Sequence, residues 1–581
     1  MITCTVSAHD PHAHLFRVTL RIPEPAAEQR LSLPAWIPGS YLVREFARHL
    51  SGLAASQGSR DVPLQQLDKA TWLARCDGRA ALQVSYLVYA FDTSVRAAFL
   101  DARRGFFNGT SVFLRVEGRE VEPHRVELRG LPAGWQVATA LAPVKVDAAG
   151  RGVYEAAGYD ELVDHPVELG RFWRGRFEAH GVPHEYVVAG ALPDFDGARL
   201  LADTKRICEA QIAFWHGRKK PPFGRYVFLH NLVEEGHGGL EHRASTALIS
   251  SRRDMPATGK PETSDGYVNL LGLVSHEYFH TWNVKRLRPA EFTRYDYTRE
   301  NYTELLWFFE GFTSYYDDLI LVRTGLIDTA RYLRLVARTV SGVLSMPGRK
   351  VQSVAQSSFD TWVKYYRGDE NTPNATISYY TKGALIALAL DLTLRAEGRG
   401  TLDDVMRALW AASGGGPIDE AQIGAALAQI GGRSYANELA AWVHGTDDLP
   451  LQDLLARAGV DWHLDAATLA QRLGLRVGES ALTGVKVTNV LRGGAGEQAG
   501  LSAGDELLAV DSWRVRRLDD ALRLIVAGRA APLLVARDQR VLTLSLTLPA
   551  ETAASAGAVA LKATAAPAKA PAALRKAWLG G

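Results

Sequence analysis

Two histidines four residues apart, in Ser275-His276-Glu277-Tyr278-Phe279-His280, place the strongest constraint on this chain. On an α-helix such residues lie about 40° apart around the axis and about 6 Å apart along it, so both imidazoles reach one metal ion. Glu277 follows the first of them, where it reaches a metal-bound water and not the metal. This His-Glu-x-x-His spacing suits a zinc ion that activates water for hydrolysis. The preceding stretch, Val268-Asn269-Leu270-Leu271-Gly272-Leu273-Val274, is apolar, as a helix buried in a packed domain requires. The alternative is a core helix with two hydrogen-bonded histidines and one exposed glutamate.

At 581 residues the chain is too long for one core and implies roughly two to four domains. Its 66 basic and 64 acidic residues leave a net charge of +2, which gives no field for nucleic acid or for an anionic membrane. Partners must therefore be sought in a site. Cys4, Cys76 and Cys208 lack the clustering of a metal knuckle or a disulfide framework, which fits a reducing compartment. The first residues carry no basic cluster followed by an apolar stretch, and no apolar run of about 18 residues occurs later. The expectation is a cytoplasmic protein with neither signal peptide nor transmembrane segment.

Residues 1–170 alternate polar and apolar in short stretches, such as Leu82-Gln83-Val84-Ser85-Tyr86-Leu87-Val88-Tyr89, and read as an all-β domain. In residues 171–460 helix-like stretches dominate, among them Asp203 to His216, Tyr302 to Val322 and Ile377 to Arg395, after a few strands such as Tyr226 to His230. Residues 466–550 return to short strands around glycine turns, with a helix from Leu518 to Val526 and a hairpin through Arg537-Asp538-Gln539-Arg540. The run Ala499-Gly500-Leu501-Ser502-Ala503-Gly504-Asp505-Glu506-Leu507-Leu508 resembles a PDZ domain. Residues 551–581, rich in Ala, Pro and Lys without periodicity, read as a mostly disordered tail.

A catalytic zinc takes a third protein ligand and keeps one position for water. Glu300, Glu304 and Glu310 are the candidates downstream. Glu310 sits in the aromatic run Trp307-Phe308-Phe309-Glu310-Gly311-Phe312, where a lone carboxylate is costly to bury without a cation. Glu304 lies about 240° further round the same helix, so the three cannot all face one metal. Glu310 is the favoured ligand.

Glu310-Gly311-Phe312 after His276-Glu277-x-x-His280 resembles the gluzincin class, whose third ligand is a glutamate on a second helix. The interval is longer than in the large gluzincin aminopeptidases and includes Trp282-Asn283-Val284-Lys285-Arg286-Leu287-Arg288-Pro289. That segment, joined to the zinc motif, resembles the signature of the glycyl aminopeptidase family. So does Leu33 to Arg48, with Trp36-Ile37-Pro38-Gly39-Ser40-Tyr41 at its centre, and the resemblance spans residues 30 to 545. It implies a multidomain α+β protein. An N-terminal all-β domain comes first, then a mainly helical, thermolysin-like gluzincin catalytic domain and a C-terminal PDZ-like β domain.

The resemblance also implies roles. Gly238-Gly239-Leu240-Glu241-His242 is similar to the gluzincin exopeptidase motif, whose backbone pairs with the substrate and whose glutamate binds the free α-amino group; the alternative is a glycine-rich surface turn. No role is assigned to His242. Tyr379-Tyr380-Thr381-Lys382-Gly383 is similar to the Tyr-x-Lys-Gly element, which selects Tyr380 as the oxyanion donor; the alternative is an aromatic pair opening a core helix. The implied reading is one Zn²⁺ per chain on His276, His280 and Glu310, with Glu277 as general base. The implied substrates are peptides with a free N-terminus, small N-terminal residues such as Gly or Ala being preferred. Leu473-Gly474-Leu475 resembles the PDZ carboxylate-binding loop, and Leu518 suits an apolar side chain of a bound polypeptide C-terminus. The alternatives are a zinc endopeptidase and a PDZ scaffold without significant catalysis.

Overall fold

A computed structural model describes residues 1–550 and 556–580. These fall into two compact units: Met1–Tyr302 with Trp410–Ile418, and Thr303–Leu409 with Asp419–Gly581.

The first unit opens with the expected β architecture. An eight-stranded sheet includes Ile2–Asp10, Leu15–Ile22 and Leu82–Tyr89, with two four-stranded sheets beside it. Leu15–Ile22 buries Phe16, Val18, Leu20 and Ile22 and turns the residues between them outward, the alternation of a strand with one face in the core.

A five-stranded sheet follows, in the order Trp173–Ala179, Val182–Ala189, Tyr226–Val233, Ser245–Ser251, His237–Glu241. The middle three strands run parallel, and Tyr226–Val233 is buried almost throughout, as a central parallel strand must be. His237–Glu241 is antiparallel and lies at the edge. Helix Gly197–His216 packs against helix Asp265–Phe279. The second of these is started by Ser264, whose hydroxyl accepts the Tyr267 N–H at 3.1 Å.

In the second unit, the expected helix from Tyr302 to Val322 appears as Leu306–Phe309 and Gly311–Arg323. Bonds from Glu310 N–H to Leu306 O and from Ser314 N–H to Glu310 O, both 2.8 Å, carry the helical path through Glu310. Helix Tyr379–Ala396 crosses it at two glycines. A Cβ on Gly311 would lie 2.5 Å from the Cα of Gly383, and one on Gly383 would lie 2.5 Å from the Trp307 carbonyl oxygen. Each glycine belongs to a sequence motif, and here their shared purpose is backbone contact.

The PDZ-like part is a sheet of Leu475–Ser480, Gly484–Val490, Glu506–Val510, Ala530–Arg537 and Arg540–Thr547 in that order, with the short Trp513–Arg514 paired to Glu506–Val510. The hairpin turn uses Asp538 and Gln539 at φ 47° and 62°, as a two-residue turn that matches strand twist requires. The helix expected from Leu518 to Val526 is only a 3₁₀ turn, Leu518–Arg523, with Leu518 and Ala521 buried.

The expected disordered tail needs correction. Residues 551–555 and 581 lie outside the described residues, but Ala556–Ala563 is a strand paired antiparallel with Val460–Ala466, and Lys569–Leu579 is a helix. Alternating Val559 and Leu561 supply an apolar face, the Val559 N–H donates to Ser341 Oγ at 2.8 Å, and buried Trp578 donates its indole N–H to Tyr315 Oη at 3.0 Å. Trp578→Ala is expected to destabilise this unit by about 3–5 kcal/mol, as loss of a fully buried aromatic does. Denaturant unfolding of the full chain checks this; an unchanged midpoint would show that the tail is not part of the packed core. No helix among the described residues is long and apolar enough to cross a membrane.

Candidate active site

His276 lies in the last turn of helix Asp265–Phe279 and His280 caps it, so one helix end positions both rings. Their Nε2 atoms face each other at 3.0 Å with the ring planes 87° apart. His280 Nδ1 is 2.7 Å from the Asn283 carbonyl oxygen. A carbonyl only accepts, so Nδ1 carries the proton and Nε2 presents its lone pair. Two ring nitrogens that close need a shared proton or a cation. Glu310, the third expected ligand, is a buried carboxylate of the second unit. Two imidazoles and one carboxylate are the donor set of a catalytic zinc, and the residues fit that ion.

Glu277 and Glu241 are both about 95% buried, and each lies against a glycine. A Cβ on Gly239 would come within 2.2 Å of a Glu277 carboxylate oxygen, and one on Gly39, at φ +92°, within 2.5 Å of both Glu241 oxygens. The glycines therefore leave the space that the two carboxylates occupy. Gly239 and Glu241 are two residues apart on the edge strand and turn toward the same face, about 7 Å apart.

Behind Glu241 sits a buried ion pair that the sequence did not announce. Lys285 Nζ is 2.7 Å from Asp164 Oδ1, the Arg243 N–H donates to Asp164 Oδ2 at 3.0 Å, and His242 Nδ1 is 3.5 Å from Oδ1. Asp164 thus fixes the turn that follows Glu241. Burial works to raise the Asp164 carboxyl, but Lys285 above all, with His242 and Arg243, holds it well below the ordinary aspartate value. Burial pushes the His242 imidazole down to about 4, so the ring is neutral near pH 7 and its role is packing beside Asp164.

Asp164 contributes stability that is present above its unfolded value, near 3.8, and is lost as pH falls through the depressed folded value. Lys285→Met leaves that carboxylate buried without its main partner and is expected to cost about 3–5 kcal/mol, read from denaturant unfolding at pH 7. An unfolding midpoint equal to that of the unaltered chain would contradict the anchoring role.

In the second unit, Tyr380 stands in the first turn of helix Tyr379–Ala396, which Ser378 caps. Its ring stacks on Tyr379 and Tyr365, and its hydroxyl is 3.3 Å from that of Tyr366. Burial, and then the charge of Glu310, pushes the Tyr380 hydroxyl well above the ordinary tyrosine range. It stays protonated and can donate. The Gly311–Gly383 contact holds the helix carrying Tyr380 against the one that begins after Glu310.

Of the PDZ residues, Leu473, Leu475 and Leu518 all point into that domain's own apolar core. Gly474 ends the short helix Leu469–Leu473 in the left-handed region, and its N–H bonds to the Gln471 carbonyl at 3.1 Å.

Two imidazoles, a carboxylate in an aromatic run and a separate buried carboxylate are the groups that suit a metal-dependent hydrolase of the peptidase kind. Comparison with known proteins agrees. Residues 3–171 match the Peptidase M61 N-terminal domain, residues 269–386 match M61 glycyl aminopeptidase, and residues 486–537 match a PDZ domain. The crystal structure of an aminopeptidase N family protein from Idiomarina loihiensis is 37% identical, with each chain covered over 100% of its length and a TM-score of 0.93. An M1 zinc metallopeptidase from Deinococcus radiodurans is 16% identical over 78% of this chain and 94% of that one, with a TM-score of 0.48. No curated protein sequence matches. This chain belongs to the M61 glycyl aminopeptidase family and is a zinc metallopeptidase of the aminopeptidase type.

Proposed function

We propose that this enzyme removes small N-terminal residues, Gly or Ala, from peptides, using one zinc ion held by His276, His280 and Glu310. The observation that carries the reading is the edge strand His237–Glu241. It sets Glu241 two residues, about 7 Å along the strand, from Gly239, against which Glu277 lies, and that spacing suits one substrate residue between amine anchor and scissile bond. The match to M61 glycyl aminopeptidase supports the preference for small side chains.

When bound, the zinc ion lowers the pKa of a coordinated water toward about 7 and polarises the scissile carbonyl. His280 keeps its metal-facing nitrogen unprotonated through the bond from Nδ1–H to Asn283 O. Glu241 binds the substrate ammonium, and the open edge at Gly239 and Glu241, beside Gly238, pairs with the substrate backbone. Glu277 accepts the proton of the attacking water and passes it to the leaving amine. Tyr380 donates its hydroxyl hydrogen to the developing oxyanion.

Glu241→Ala is expected to raise KM for an unblocked alanyl anilide by at least about tenfold, since it removes a buried charge-assisted contact. N-acetylation of the substrate should abolish cleavage by the unaltered enzyme. Equal rates on free and acetylated anilides would refute the amine anchor. We further propose that the edge strand Leu475–Ser480 takes a polypeptide C-terminus by strand addition. Binding that is equal for free and amidated C-termini would refute it.

A further inference from the structure

We propose that Arg96 reads the free C-terminal carboxylate of very short substrates, making this enzyme selective for di- and tripeptides; the inference rests on the aminopeptidase reading above. The edge strand gives the direction. His242 N–H bonds to Ser245 O, and this sets the antiparallel alternation. Leu240 and Gly238 therefore bond inward to Ser245–Ser251, while Glu241 and Gly239 turn their amide groups to the open edge. A substrate whose ammonium meets Glu241 and whose scissile bond lies near Glu277 must continue past Gly239 and Gly238 on its leaving-group side.

Arg96 waits at that place. Its Nη2 lies 3.4 Å from the Gly239 carbonyl oxygen, and both terminal nitrogens are within 4.0 Å of the Cβ position of Gly238. The side chain is half-buried, its Nε is shielded from water without a hydrogen-bond partner, and among the described residues it forms no ion pair. A half-buried guanidinium with only one long bond to a neutral carbonyl has most of its donors unspent.

The segment is also held in place. Buried Asn108 donates Nδ2 to the carbonyls of Val95 at 2.7 Å and Ala97 at 3.3 Å, on either side of Arg96. A donor fork fixed in this way matches a carboxylate. Along the strand, Glu241 to Gly239 is about 7 Å and Glu241 to Gly238 about 10 Å, and an extended chain spans about 3.3–3.6 Å per residue. Two or three residues therefore fill the distance from amine anchor to guanidinium.

The experiment compares kcat/KM for dialanine and trialanine with their C-terminal amides, in the zinc-loaded full chain and in its Arg96→Gln and Arg96→Lys forms. Alanine anilide, which has no carboxylate, is assayed on the unaltered enzyme. At least one acid is expected to be preferred over its amide by about tenfold or more, since a hydrogen bond to a charged group is worth that much. The ratio should fall to near one in Arg96→Gln and stay intermediate in Arg96→Lys. Anilide cleavage with neither acid preferred, or a preference unchanged in Arg96→Gln, would overturn this inference alone. Failure on the anilide and on all four peptides would overturn the aminopeptidase reading and this inference with it.

Discussion

Glu277→Gln is expected to lower kcat on an unblocked alanyl anilide by about 10²- to 10⁴-fold while the bound zinc content stays unchanged. The amide keeps the size of the side chain and its fit against Gly239, so packing is preserved. What is lost is the group proposed to accept a proton from water and return it to the leaving amine. His276 and His280 are untouched, so metal analysis of the variant should match that of the unaltered protein. Near-full turnover would remove Glu277 from the mechanism, and loss of zinc along with activity would recast it as a residue that shapes the metal site.

A second large effect is expected at Gly239, which the sequence marks only as part of a motif whose backbone pairs with substrate. A Cβ there would meet Glu277 Oε1 at 2.2 Å and the carboxyl carbon at 2.3 Å, contacts that cannot persist. The far end of a glutamate side chain moves easily, so Gly239→Ala should cost little stability. It does so by displacing the carboxylate, and a misplacement of about 1 Å in a catalytic group costs on the order of 10²-fold in rate. The prediction is a folded, zinc-containing protein with an unfolding midpoint close to that of the unaltered chain and kcat lower by about 10²-fold or more. Unaltered kcat would show that Glu277 does not need the space. A collapse in stability would show that the contact is structural.

How much of this could be read from the chain differs by residue, for physical reasons. His276 and His280 are legible because helix periodicity alone brings i and i+4 together. Glu310 is legible because a lone carboxylate in an aromatic run demands compensation. The purpose of Gly311 and Gly383 is not, since each marks a motif separately and only the helix crossing shows that the two backbones touch.

The same holds for Gly39 with Glu241 and for Asp164 with Lys285. Each pair is separated by more than 100 residues in sequence and is joined only by the tertiary fold. The tail misleads for another reason. Alanine-rich composition masks the alternation of Val559 and Leu561 in strand Ala556–Ala563 and the single large anchor Trp578 in helix Lys569–Leu579. Over Leu518–Arg523 two buried apolar residues hold a 3₁₀ turn where the pattern suggested a longer helix.

The most direct test of the whole account is a zinc titration of the chelator-treated full chain, followed by its rate of hydrolysis of alanine anilide. No measurable hydrolysis is expected without metal, followed by a linear recovery that saturates at one zinc per chain. Full activity in protein shown by elemental analysis to be free of metal would contradict it.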